Sequence, residues 1–108
     1  MDIRELRSDP ASAGNGDCAV VFYAPWCGDC VRSLEFEKKL SREFSGRVAF
    51  FRMDAEEFES IADKYGVERY PTYVFFRNGA PLPGNLAEPL SLEEARGWLE
   101  EKLKEKGD

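Results

Sequence analysis

Six consecutive apolar residues, Cys18-Ala19-Val20-Val21-Phe22-Tyr23, follow the turn signal Asn15-Gly16-Asp17. The run has strand length but does not alternate apolar with polar. A strand with one wet face would alternate, so this one is expected to be covered on both faces, in the middle of an α/β sheet. Every other element must supply either a neighbouring strand for it or a layer above or below it.

The rest of the chain has the material to do so. With 108 residues, it is read as a single domain spanning 1–108, and 43% hydrophobic residues are enough for a core. Fifteen Lys and Arg against 21 Asp and Glu give a net charge of −6. That sign is wrong for binding nucleic acid or an anionic membrane surface, so neither is expected as a partner. No apolar run approaches the ~18 residues needed to span a bilayer. Met1 to Ala11 contains no signal-peptide h-region, so a cytoplasmic location is expected; a monomer is expected as well. The absence of histidine removes His-based acid–base catalysis and most zinc sites, and no metal or bound cofactor is expected. Three cysteines are too few, and of the wrong parity, for a secreted disulfide scaffold. A close pair of cysteines in a reducing compartment points instead to redox chemistry.

The element order follows from local signals. Asp2 to Leu6 suggests a short strand, and Asp9-Pro10 suggests a helical turn with Pro at its first position. A helix is predicted from Gly28 to about Phe44, with Cys30, Val31, Leu34, Phe36, Leu40 and Phe44 as its apolar set. At about 100° per residue these form two arcs, which calls for a bend near Glu35 or burial on two sides. Ser45-Gly46 ends this helix, Val48–Met53 reads as a second apolar strand, and Glu56–Tyr65 as a short helix closed by Gly66. Thr72–Phe76 is rich in β-branched and aromatic residues, and Asn78-Gly79 is a strong two-residue hairpin signal after it. Pro81, Pro83 and Pro89 leave little room for a regular strand beyond the hairpin. Ser91-Leu92-Glu93-Glu94 has the form of a capping box opening a last helix through Leu99 and Leu103. The order is βαβαββα with one more strand in front: a mixed sheet of four to five strands flanked by helices.

The chemistry is concentrated in Trp26-Cys27-Gly28-Asp29-Cys30, between the buried strand and the helix start. Unpaired N–H groups and the positive end of the helix dipole favour a thiolate on Cys27, the species that attacks a disulfide. Two intervening residues on a first helical turn bring the sulfurs within joining distance, and Gly28 leaves the approach to Cys27 open. Cys30, deeper in the helix, is the second actor. Two inert cysteines in a core, or a zinc site with Cys18 as the one further soft ligand, are the competing readings, and strand context and spacing favour redox chemistry over both.

Phe22-Tyr23-Ala24-Pro25-Trp26-Cys27-Gly28-Asp29-Cys30, Asp54 after a strand, Tyr65-Gly66-Val67, Tyr70-Pro71-Thr72 and Phe76-Arg77-Asn78-Gly79 together resemble the thioredoxin family. The wording around the cysteines is also similar to the catalytic domains of protein disulfide isomerases. The resemblance implies a thioredoxin-like fold and thiol–disulfide exchange, with Cys27 attacking the target disulfide and Cys30 resolving the mixed disulfide. It implies a cis Tyr70–Pro71 bond facing the cysteines, with Trp26, Tyr70 and Pro71 forming the substrate-docking surface. The partners it implies are disulfide-containing proteins and a thioredoxin reductase, with electrons carried by the Cys27–Cys30 pair rather than by a bound cofactor.

Three departures from the family bear on mechanism. Val21 stands six residues before Cys27, where the family usually has a buried carboxylate, and Phe50 stands where thioredoxins often carry a lysine. Both buried charges are therefore expected to be absent together, leaving no acceptor for the Cys30 proton. Asp29 stands where thioredoxins have proline and disulfide isomerases have histidine. A carboxylate there is expected to disfavour the Cys27 thiolate and favour the disulfide, making the protein a reductant; the alternative role for Asp29 is to take the Cys30 proton itself. The family glycine after the hairpin has no obvious counterpart in Pro83–Pro89, a segment that the resemblance implies helps to contact partners. The reading is a protein-disulfide reductase. Its rivals are an isomerase- or oxidase-like domain and a non-enzymatic docking module.

Overall fold

A computed structural model of the chain describes residues 3–105. Strand β1 (Arg4–Glu5) is followed by a 3-10 turn at Pro10–Ser12, then β2 (Asp17–Tyr23), α1 (Gly28–Glu43), β3 (Ala49–Asp54) and α2 (Glu59–Lys64). The hairpin β4 (Thr72–Arg77) and β5 (Ala80–Pro81), a short β6 (Leu86–Ala87) and α3 (Leu92–Lys104) complete it. No helix among the described residues is long and apolar enough to cross a membrane.

Strand β2 lies in the middle of a mixed sheet ordered β1-β3-β2-β4-β5, with β6 also paired to β4. It runs parallel to β3, from Cys18 opposite Ala49 to Tyr23 opposite Asp54, and antiparallel to β4, from Asp17 opposite Arg77 to Phe22 opposite Thr72. Both faces are covered, as the unalternating run requires. Ala19 and Val21 enter one core cluster with Leu40, Phe44, Phe50, Tyr73, Phe75, Ala95 and Leu99. Cys18, Val20 and Phe22 enter another with Met53, Ala62, Val67, Val74 and Phe76. Fully burying a side chain of Val, Leu or Phe size contributes roughly 1.5–3 kcal/mol, so this two-sided core dominates the fold's stability.

Several boundaries differ from the sequence reading. Among the described residues the sheet has six strands rather than four or five, because the two-residue strands β5 and β6 each find a place on β4. The first strand covers Arg4–Glu5 within the expected Asp2–Leu6, of which Asp2 lies outside the described residues. The second apolar strand is shifted by one residue, to Ala49–Asp54. Helix α2 begins at Glu59 rather than Glu56, because the Asp54 carboxylate accepts from the N–H groups of Glu56 and Glu57 and holds that segment in turns.

The capping box is also modified. Ser91 Oγ accepts from Glu94 N–H at 3.1 Å, but the Glu94 carboxylate reaches back to Leu90 N–H at 2.9 Å.

The largest correction concerns α1. Its buried stripe is Cys30, Ser33, Glu37, Leu40 and Phe44, a spacing of three and four that needs neither a bend nor burial on two sides. Two polar residues occupy core-facing positions in that stripe, while Val31, placed in the apolar set by its chemistry, is 66% exposed.

The Asn78-Gly79 hairpin forms as expected, with both residues left-handed at φ 54° and 83°. Gly79 is doubly constrained: a Cβ there would sit 2.7 Å from the Ala11 carbonyl oxygen. Gly14 has φ 105° with nothing within 4 Å of the same position. Gly79→Ala is therefore expected to destabilise by roughly 2–4 kcal/mol, combining left-handed strain with a backbone clash, against about 1 kcal/mol for Gly14→Ala. Denaturant melts of the two variants check this, and equal losses would remove the role of the Ala11 contact.

Candidate active site

The site follows from strand register. The parallel strands β2 and β3 both end at the same sheet edge, at Tyr23 and Asp54, where open α/β sheets place their sites. Because β4 runs antiparallel to β2, its start at Thr72 lies opposite Phe22 and brings Pro71 to that edge. Chain turning out of β2 then starts α1 at Gly28, with Cys27 as its N-cap.

Cys27 Sγ accepts the Cys30 N–H at 3.2 Å, which fills an orphan donor of the helix start with sulfur. It also lies 3.6 Å from the Tyr70 carbonyl oxygen, across from the Tyr70–Pro71 bond, which is cis. Cys27 is 7% exposed and Cys30 3%, and both pack with Ala24 against Tyr23 and Tyr70. The two thiols are free in this structure. Burial, then the bond to Cys27, pushes the Cys30 thiol up to about 12, and the Glu37 charge acts in the same direction.

The rim is apolar and charge-paired. Trp26 is 68% exposed, stacks edge-on to Tyr70 at 6.0 Å, and donates its indole N–H to Glu56 at 2.6 Å. Asp29 is exposed and paired with Arg32 one turn on, so part of its field is cancelled before it reaches Cys27. Arg69 pairs with Glu88 at 3.3 Å. An open groove beside Cys27 is lined by Trp26, Gly28, Asp29, Arg32, Glu68, Arg69, Tyr70 and Glu88. In the loop after the hairpin, Glu88 itself takes a left-handed conformation at φ 53°, and its N–H bonds the Pro71 carbonyl at 2.7 Å. The loop thus fills one of its left-handed positions with a residue other than glycine.

Val21 and Phe50 are both buried and apolar, as expected, but charge reaches their surroundings from other positions. The register sets Arg52, not Phe50, opposite Val21. Arg52 lies over the Tyr23 ring at 3.9 Å, and its Nε is buried without a partner among the described residues. A buried carboxylate is present too, supplied by α1: Glu37 is 1% exposed and accepts from the Tyr73 hydroxyl at 2.8 Å. Burial holds the Glu37 carboxyl above the usual carboxylate range, against opposing pulls from Ser33, Tyr73 and the Arg52 charge. Burial and the Glu37 charge likewise raise the Tyr73 phenol. Glu37, Ser33, Tyr73 and Arg52 were missed from the sequence. Extending the three-and-four spacing back from Phe44 and Leu40 to Cys30 would have found the first two.

Cys18 lies on the far side of the sheet from α1, where burial and then Asp17 push its thiol up to about 11. In the reduced protein, Cys18 and Cys30 stay protonated where the unfolded chain ionises them, at about 8.5. The stability linked to them is complete below that pH and is lost as pH rises through 11 and 12. Between pH 9 and 10.5, Cys18→Ala is expected to flatten the fall in stability by up to about 1.4 kcal/mol per pH unit. Denaturant melts of parent and variant measure it, and identical slopes would refute the raised thiol.

The family model described as Thioredoxin matches residues 9–101. Thioredoxin H4 of Arabidopsis thaliana is 32% identical over 78 residues, covering 72% of this chain and 66% of that protein. Thioredoxin M-type, chloroplastic, of Spinacia oleracea is 38% identical over 60 residues, covering 56% of this chain and 33% of that protein. Protein disulfide isomerase-like 2-2 of Oryza sativa subsp. japonica is 40% identical over 67 residues, 60% of this chain and 18% of that protein. The alignment thus spans about a third of the chloroplastic relative's length. A solved chain from work on the thiol resolving mechanism in yeast mitochondrial 1-Cys peroxiredoxin via glutathione/thioredoxin systems superposes with TM-score 0.81. It covers 92% of this chain and 94% of that one at 22% identity, a likeness of fold.

Proposed function

The chain belongs to the thioredoxin family, and from that premise we propose that it reduces disulfides in partner proteins, with Cys27 attacking and Cys30 resolving. Family membership supports thiol–disulfide oxidoreductase chemistry in general. The observation that carries the finer reading is the setting of Cys27 Sγ: it caps α1, accepts the Cys30 N–H at 3.2 Å and faces the Tyr70 carbonyl at 3.6 Å.

In this reading the helix N-terminus stabilises the developing thiolate on Cys27. A substrate strand lies along the Trp26–Tyr70 platform and bonds to the backbone beside Pro71, which has no N–H of its own to offer. Cys27 attacks, one substrate sulfur leaves, and Cys30 attacks Cys27 to release the other as the Cys27–Cys30 disulfide forms. A thioredoxin reductase returns the pair to the dithiol, and no bound cofactor takes part. Position 29 separates this reading from an isomerase- or oxidase-like one, because a carboxylate replaces the cation that would favour the thiolate. The expected potential lies nearer the about −270 mV of thioredoxin than the about −180 mV of disulfide isomerase.

Reduced protein is expected to reduce insulin disulfides; Cys27→Ser abolishes this, and Cys30→Ser accumulates mixed disulfides. Absence of insulin reduction, with partner binding intact in Cys27→Ser, would favour a docking module instead. Iodoacetamide at pH 7 is expected to label Cys27 in the folded reduced protein and to spare Cys18 and Cys30, as peptide mapping would show.

Asp29 is assigned a modulating role. Asp29→Asn is expected to raise the Cys27 alkylation rate at pH 7 by roughly two- to threefold, and Arg32→Gln, which unmasks the carboxylate, to lower it. Unchanged rates in both variants would remove Asp29 from the mechanism.

A further inference from the structure

In α1, Cys30, Ser33 and Glu37 succeed one another on the buried stripe. Side chains on a helix lean toward its N-terminus, so Glu37 leans back toward Ser33 and the turn that carries Cys30. Ser33 Oγ donates to the Cys30 carbonyl at 3.3 Å, and the Ser33 hydroxyl favours ionisation of both Glu37 and Tyr73. We propose that Glu37, acting through Ser33 and with Tyr73 setting its basicity, takes up the proton that Cys30 releases when it resolves the mixed disulfide. This rests on the thiol–disulfide reading above and supplies the acceptor that Val21 cannot.

The surroundings suit such a role. Glu37 is 1% exposed and forms no ion pair among the described residues; hydroxyl groups hold it instead of a cation. A carboxylate locked to a lysine or arginine would give up its basicity, whereas one held by hydroxyls in a dry site keeps it. The groups that bear on it are the Tyr73 phenol from β4, the Arg52 guanidinium from β3, and Ser33 and Cys30 on α1 itself. From α3, Ala95 and Leu99 of the adjoining core are apolar, and the buried Lys102 is committed to the Pro83 carbonyl and the Glu105 carboxylate. Asp29, the other acid near the cysteines, is exposed and committed to Arg32.

The step balances as follows. In the mixed disulfide, Cys27 Sγ is bonded to one partner sulfur. The Cys30 S–H bond breaks and its proton goes to Ser33 Oγ, as the Ser33 O–H proton passes to the Glu37 carboxylate, and Cys30 Sγ forms a bond to Cys27 Sγ. The bond from Cys27 to the partner breaks, and that sulfur departs with the electron pair. The protein dithiol is oxidised by two electrons, the partner disulfide is reduced by two, and Glu37 later returns its proton to water.

Stopped-flow reaction of the reduced full chain with equimolar Ellman's reagent separates the two events, because each releases one coloured aryl thiolate. The first release reports attack by Cys27 and the second reports resolution, so Cys30→Ser gives only the first. Glu37→Gln is expected to slow the second release at pH 7 by about tenfold or more, with a far smaller effect on the first. The deficit should shrink toward pH 10 as hydroxide replaces the carboxylate. Tyr73→Phe removes a donor to the carboxylate, so the pH midpoint of the second release is expected to move up. A second release at parental rate in folded Glu37→Gln, or a faster one, overturns the proposal. Should Glu37→Gln not fold, an unmoved midpoint in Tyr73→Phe overturns it. No first release from the parent protein would overturn the thiol–disulfide reading, and this proposal with it.

Discussion

Strand β2 is hydrogen-bonded along both edges and covered on both faces, and this double confinement fixes everything around it. Its residues alternate between two apolar clusters, so a slip of one residue would exchange Val21 with Val20 or Phe22 and disrupt both cores at once. Register held this firmly also fixes where the neighbouring strands end. Tyr23, Asp54 and Thr72 come to one sheet edge, and the pieces of the site are the residues just beyond them: the α1 start, the turn that carries Glu56, and Pro71. At the other end of β2 the half-buried Arg77–Asp17 pair, at 2.8 Å, ties β4 to β2 and leaves the reactive edge free of that restraint.

The reactive edge has local electrostatics unlike the chain as a whole. A net charge of −6 would repel an acidic substrate strand, but the charges nearest Cys27 are arranged in pairs: Asp29 with Arg32, Arg69 with Glu88. These exposed pairs contribute little stability. Their effect is to leave Glu68 as the one charge of the groove lining without an ion pair among the described residues, so that apolar contact and backbone hydrogen bonds on the Trp26–Tyr70 platform carry most of the docking. Glu56 contributes in a different way, fixing the indole edge by accepting its N–H.

What could be read from the sequence was whatever depends on neighbours along the chain. The doubly buried strand, the Asn78-Gly79 turn, the Ser91 cap and the paired cysteines at a helix start are all local signals, and each has its expected place in the structure. What could not be read depends on register and on chemistry at odds with position. Counting along the chain compared Phe50 with the family lysine, but the ladder places Arg52 opposite Val21. Sorting α1 by residue type admitted Val31 and omitted Ser33 and Glu37, because a buried glutamate violates the pattern by which buried faces are found. β5 and β6 are two residues each, too short for periodicity to mark them.

That violation itself carries information. Burying a carboxylate costs several kcal/mol unless partners compensate, and hydroxyl groups compensate less fully than a cation would. An apolar residue at 37 with phenylalanine at 73 would fill similar space, satisfy the α1 stripe and avoid an unpartnered phenol, an exchange that in other cores is neutral or stabilising. Stability therefore does not account for the Ser33–Glu37–Tyr73 group, nor for the buried Nε of Arg52 on β3, which has no partner among the described residues. The placement of that group does account for it. Ser33 and Glu37 occupy the turns of α1 that follow Cys30, with Tyr73 of β4 bonded to Glu37, on the same face of the helix as a thiol whose ionisation the protein interior opposes. Where a fold holds a costly charge beside a proton that must leave, the physical return for that cost lies in moving the proton rather than in holding the core.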